Sequence, residues 1–139
     1  MATFTKFNAY VEALSEKVHN QGADTLMVML TNTAPVAGNS VKADLTEIAA
    51  GNGYTAGGTQ ATTTSSAQTS GTYKLVLADV VFTASGGSIG PFRYATLYND
   101  TATNDELIGF WDYGSSITLS AGETFTWDAD PTNGVIQLA

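Results

Sequence analysis
The sequence predicts a mainly β protein, an antiparallel β-sandwich or jelly-roll-like fold with one N-terminal amphipathic α-helix. Its 139 residues fit a single domain, long enough to bury roughly two thirds of the unfolded surface. One stretch only, residues 4–21, has a helical apolar period. From residue 24 to the C-terminus, short β-branched and aromatic runs alternate with turn-forming stretches and no helix separates them, which points to antiparallel rather than parallel pairing.

In "FTKFNAYVEALSEKVHNQG" the residues Phe4, Phe7, Val11, Leu14 and Val18 recur at steps of three and four, one stripe of a helix of about four turns. That stripe is expected to dock on the sandwich or on a sister subunit. Lys17 and His19 fall in the expected last turn, where cations suit the dipole, and Gly22 is placed for a left-handed C-terminal cap. "DTLMVMLTN" then reads as a strand covered on both faces, Leu26, Val28 and Leu30 on one and Met27 and Met29 on the other. "NTAPVAGNS" is a loop, and "VKADLTEIAAG" a short helical turn stopped at Gly51. The strands expected beyond it are "YKLVLADVVFTA", "PFRYATLYN", "ELIGFWDY", "SSITLSA", "ETFTWDA" and "GVIQLA", separated by the turns "SGGSIG", "NDTATND", "GSS", "SAGE" and "DADPTNG".

The stretch at about 55–72 stands apart. No charged side chain occurs from Ile48 to Tyr73, and Ser and Thr hold nine of the fourteen positions from Thr59 to Thr72. Such residues favour extended backbone but bury too little apolar surface to order alone. The stretch is therefore expected to be an arm, hairpin or loop that is mobile in a lone subunit and orders by strand addition to a neighbour, with Tyr54 and Tyr73 as anchors and Thr62, Thr63 and Thr64 in the contact.

Charge excludes whole classes of partner. The formal net charge is -8, and the cations are only Lys6, Lys17, Lys42, Lys74 and Arg93, so no basic stripe exists to displace counterions from a nucleic acid. Direct nucleic-acid binding is not expected. The charged fraction of 13% is about half the usual one, leaving a small, neutral surface suited to being covered. Cysteine is absent, which removes disulfides and thiolate chemistry. The start, "MATFTKF", has no signal-peptide character, and the apolar run "LMVML" is too short to span a bilayer, so a chain made in the cytoplasm without a membrane partner is expected.

Reactive constellations are sparse. His19 is the single histidine, and a cationic helix cap explains it more simply than a Ser-His-Asp triad. "GFWDYG" sets Asp112 among Phe110, Trp111 and Tyr113, the residue types of a sugar-binding face, although alternation along a strand sends some of these rings into the core. The acidic turns at 99–106 and 128–134 lack calcium-loop spacing and read as Asx turns, and "GNGYTAGG" matches neither the dinucleotide nor the phosphate-loop fingerprint. No catalytic, cofactor or metal residues are assigned.

Taken together, "VMLTNTAPV", "GNGYTAGG", "SSAQTSGTYKLVL", "FTASGGSIGPFRYATLYND" and "LIGFWDYGSSITLSAGETF" resemble a family of small virion structural proteins of tailed bacteriophages. The resemblance runs from about residue 4 to the C-terminus in successive blocks. It implies a non-enzymatic protein of the virion, synthesised in the host bacterial cytoplasm, with the major capsid protein and further copies of itself as partners. A capsid decoration (cement) protein is the first expectation, since acidic charge suits the outer face of a head rather than its DNA-filled interior. A tail or tail-tip protein with a carbohydrate-binding face around Trp111 and Tyr113 is the alternative.

Overall fold
The computed structural model of the chain describes residues 2–139 and is a β-sandwich. One layer is a five-stranded sheet in the order β1-β8-β7-β2-β3, built from β1 (Thr3–Lys6), β2 (Leu26–Thr31), β3 (Thr59–Gln60), β7 (Ile89–Asn99) and β8 (Leu107–Leu119). The facing layer has two parts. Strands β10 (Ile136–Leu138), β5 (Thr72–Leu77) and β4 (Thr63–Thr69) make a three-stranded sheet in that order, and β6 (Val80–Thr83) pairs with β9 (Thr124–Trp127). Every pairing is antiparallel.

Strand β2 behaves as its alternation predicts. Leu26, Val28 and Leu30 enter the main core, which joins both layers through Leu75, Phe82, Phe92, Leu97, Trp127 and Ile136. Met29 points to the other face, where Phe7, Tyr94, Tyr98, Leu107 and Phe110 form a second cluster with Met27 packed against it. This double burial is why the run is apolar at every position.

The N-terminal element differs from the helix expected over 4–21. Helix α1 spans only Asn8–Ser15, and Phe4 lies on β1, its Cα paired with Trp111. "TFTK" alternates as well as it fits a helical period, and the free edge of β8 gives it a ladder to join, so pairing wins over local periodicity. Of the five stripe residues, Phe7 is fully buried as the residue that starts the helix, Leu14 packs on the main core, and Val11 is 50% exposed. Val18 falls outside the helix.

The left-handed residue that closes the end of the helix, beyond the C-cap Glu16, is Lys17 at φ 67 and not Gly22. The Val18 amide reaches back to the Ala13 carbonyl at 2.8 Å, the 6→1 bond of a Schellman turn with lysine where glycine is usual. His19 is consequently no cationic cap. It is 5% exposed, and its Nδ1 faces the Asn99 side-chain amide at 3.1 Å.

Two strand boundaries also move. "YKLVLADVVFTA" breaks at Ala78 and Asp79 into β5 and β6, because Asp79 turns the chain between the two parts of the layer and accepts a hydrogen bond from the Ala129 amide. "ELIGFWDY" and "SSITLSA" form the single strand β8, with Gly114 at φ 87 bending it where a turn is expected. The helical turn expected in "VKADLTEIAAG" is a single 3-10 turn at Lys42–Asp44, closed by the Asp44 carboxylate on the Ser40 and Val41 amides.

Candidate interaction surfaces
The Ser/Thr-rich stretch is already ordered within the chain, which corrects the expectation of an arm that needs a neighbour. Strand β4 pairs with β5 from Thr63 to Thr69, and Ser70 (φ 51) and Gly71 (φ 85) make the two-residue turn that closes the hairpin. The apolar surface that β4 lacks comes from β5, whose Leu75 and Leu77 are buried in the main core. One partner strand within the chain therefore provides both ladder and anchor.

Each residue expected to meet a neighbour has a definite place. Tyr54 is buried, not an interface anchor: its hydroxyl accepts from the Leu30 amide at 3.0 Å and donates to Glu47 Oε1 at 2.7 Å, and burial pushes its pKa up. Tyr73 is half-buried next to the turn of the hairpin, its Cα paired with Gln68 and its hydroxyl 2.9 Å from Ser66 Oγ. The Thr62 carbonyl accepts from the Ala78 amide, Thr63 pairs with Leu77, and Thr64 Oγ1 donates to the Val76 carbonyl at a bulge. The three threonines thus form the base of the hairpin. Its outer edge is what remains free, since β4 is the last strand of its sheet and its residues from Thr64 to Thr69 are all exposed.

A second surface lies at the opposite end of the same sheet. Strand β10 is the other terminal strand, and β1 ends the facing sheet. Between them and α1 runs a groove of about 470 Å³. Phe4, Val11 and Leu138 on its walls are 37%, 50% and 43% exposed, and Lys6 is its one charged residue.

The aromatic face around Asp112 resolves into two sides. Phe110 packs on Phe7 with ring centroids 5.2 Å apart, whereas Trp111 and Tyr113 point to the main-core side. There they border an adjoining groove that also contains Asp128 and Asp130. Their rings are engaged with other rings: Trp111 meets Phe4 at 4.9 Å and Trp127 at 5.0 Å, and Tyr113 meets Phe125 at 4.9 Å. Asp112 is held by Arg93, Oδ1 to Nε at 2.7 Å and Oδ2 to Nη2 at 3.0 Å, and that guanidinium keeps its carboxyl below the usual range. Asp130 is the Asx turn expected of "DADPTNG", accepting from the Thr132 and Asn133 amides. No group of three or more metal-ligating side chains occurs among the described residues.

Sequence reasoning missed a buried polar junction. Asn99 joins His19 to the β7–β8 connection: its Nδ2 donates to Asp24 Oδ2 at 2.6 Å, and its Oδ1 accepts from the Thr101 and Ala102 amides. Because the Asn99 amide N–H points at His19 Nδ1, the neutral ring carries its proton on Nε2. Burial pulls the His19 pKa down, against the opposing fields of Glu106 and Asp24.

The chain matches no family model, no curated protein and no solved structure.

Proposed function
We propose that the chain is a non-enzymatic structural subunit of a tailed-bacteriophage virion, a capsid decoration protein that attaches through the open edge of β4. The observation that carries the reading is the character of that edge. Exposed edges are ordinarily guarded by lysine, proline or inward charge. Strand β4, "TTSSAQT", has none of these, although the chain holds thirteen Asp and Glu residues. A neutral edge of small side chains can take up a partner's strand with little desolvation cost and little rotamer entropy to lose.

The five sequence blocks and the acidic surface support placement on the outside of a head. The non-enzymatic part is supported by how the reactive side chains are engaged: His19 with Asn99, Asp112 with Arg93. Because Trp111 is engaged with Phe4 and Trp127, and Tyr113 with Phe125, the tail-tip reading with a carbohydrate face ranks second.

Two lysines placed along the edge, Ser65→Lys and Ala67→Lys, test the reading. Both sites are exposed, so the subunit should melt as before. Retention on expanded capsids in a co-sedimentation assay should fall about a hundredfold, the effect of charges facing a strand-addition contact. Undiminished retention of the double variant would overturn attachment through β4.

A further inference from the structure
We infer that His19, Asn99 and Asp24 form an acid-operated latch on the connection between β7 and β8: when His19 takes up a proton, residues 100–105 come free while the two sheets stay closed. Asn99, the last residue of β7, is wholly buried. Its Nδ2 donates to Asp24 Oδ2 at 2.6 Å and faces His19 Nδ1 at 3.1 Å, while its Oδ1 accepts from the Thr101 and Ala102 amides at 3.0 and 3.2 Å. Turning the amide over would set Oδ1 against a carboxylate and Nδ2 against two N–H groups. The orientation is therefore fixed, and His19 is held as an acceptor at Nδ1.

A protonated ring cannot serve there. Its Nδ1–H would meet the Asn99 amide donor against donor, and its buried Nε2 has no hydrogen-bond partner among the described residues. The groups around the ring that could receive the charge are committed elsewhere. Asp24 Oδ2 also accepts from the Asn20 amide at 2.8 Å, and the Glu106 carboxylate accepts from the backbone and side-chain amides of Asn104, each at 3.2 Å. Tyr10, whose ring centroid lies 5.4 Å from that of the imidazole, gives its hydroxyl to Gln21. The fields of Asp24 and Glu106 favour the cation, but burial outweighs them.

The connection is the side that can yield. Asp100, Thr101, Thr103 and Asn104 are exposed, and no residue from 100 to 105 belongs to either core cluster. Apart from Asn99 Oδ1, it is tied down by the Asp100 amide on the Thr25 carbonyl, the Thr25 amide on Thr101 Oγ1, and the Lys42 amide on the Asp105 carbonyl. Lifting it breaks surface hydrogen bonds without uncovering the core, which sets it at the low end of local opening free energies. Once it lifts, the ring meets water and regains its ordinary proton affinity. The open population should then rise as pH falls below about 6.5, by up to about tenfold per pH unit. Release also withdraws the Asp105 carbonyl from Lys42, so the 3-10 turn at Lys42–Asp44 loosens with it. The latch does not rest on the virion reading.

Hydrogen exchange of the isolated subunit by NMR at pH 7.5, 6.5 and 5.5, each rate divided by the intrinsic rate at that pH, tests it. Protection of the Thr101 and Ala102 amides should fall about five- to tenfold between pH 7.5 and 5.5, while the amides of Val28 and Leu97 in β2 and β7 keep theirs. In His19→Gln, whose side-chain oxygen can accept as Nδ1 does and takes up no proton, protection at Thr101 and Ala102 should not change with pH. In the wild type the loss should follow the titration of His19 read from its ring 15N shifts, which keeps the test intact should the variant fail to fold. Constant protection at Thr101 and Ala102, an equal loss at Val28 and Leu97, or a loss that does not follow His19 would each overturn the inference.

Discussion
Replacing Phe7 by alanine tests how the N-terminus is held. The side chain is wholly buried, and its ring lies against Phe110 beside Met29, Tyr94, Tyr98 and Leu107. Its backbone amide also donates to the Ile108 carbonyl, which fixes the start of α1 on β8. Truncating a buried Phe costs about 3–5 kcal/mol through lost transfer energy and the cavity left behind. At about 3 °C per kcal/mol for a domain of this size, the melting temperature should drop by about 9–15 °C. Leu14, partly buried on the main core, should cost about 1–2 kcal/mol when cut to alanine, and half-exposed Val11 about 0.5 kcal/mol or less. Urea unfolding and thermal scans of dilute subunit, followed by circular dichroism, give the three values. A regular helix over residues 4–21 would make them similar. Equal losses for Phe7→Ala and Val11→Ala would refute the reasoning.

Lys17→Gly should raise stability by about 1 kcal/mol, because φ 67 strains any residue with a Cβ; calorimetry reads it, and a loss of stability would contradict the Schellman end. Gly58→Ala should cost more than about 2 kcal/mol, since Gly58 sits at φ 84 and a Cβ there would run into the Val28 carbonyl, which cannot yield without disturbing β2; an unchanged urea midpoint would contradict that packing. For His19 the folded-state pKa lies below the ordinary value near 6.5, so the unfolded chain binds the extra proton first as pH falls. Its stability contribution should be full above about pH 6.5 and decline below it, ahead of the carboxylates. Urea unfolding across that window, compared with His19→Gln, should show the decline in the wild type and a flatter profile in the variant; parallel profiles would contradict the burial argument.

What was legible in the sequence is what alternation and turn chemistry encode locally. The sandwich class, the two-sided burial of β2 and the Asx turn at Asp130 all follow from residue type and spacing. The helix boundary did not, because Phe4 and Phe7 satisfy a helical step while Thr3, Phe4 and Thr5 also alternate, and only the open edge of β8 decides between them. Strand β8 reads as two because Gly114, Ser115 and Ser116 carry turn chemistry, yet pairing with β7 continues beyond the bend. The hairpin had a local signal in Ser70 and Gly71 flanked by extended residues, weaker than Asn-Gly but of the same kind. Sheet order was out of reach altogether. That β10 and β1 end their sheets beside one groove depends on pairing β10 with β5 and β1 with β8, segments more than sixty residues apart, and no local pattern encodes it.

Hydrogen exchange along β4 tests the attachment reading most directly. Thr69 and Thr72 flank the two-residue turn and form its closing pair, so along an antiparallel ladder Ala67 also faces β5 while the Ser66 and Gln68 amides point outward. In the isolated subunit, protection should alternate, high at Ala67 and Thr69 and low at Ser66 and Gln68. On assembled particles the Ser66 and Gln68 amides should become protected as well, because a partner strand now accepts from them. Outward amides that exchange equally fast in both states would contradict strand addition at this edge.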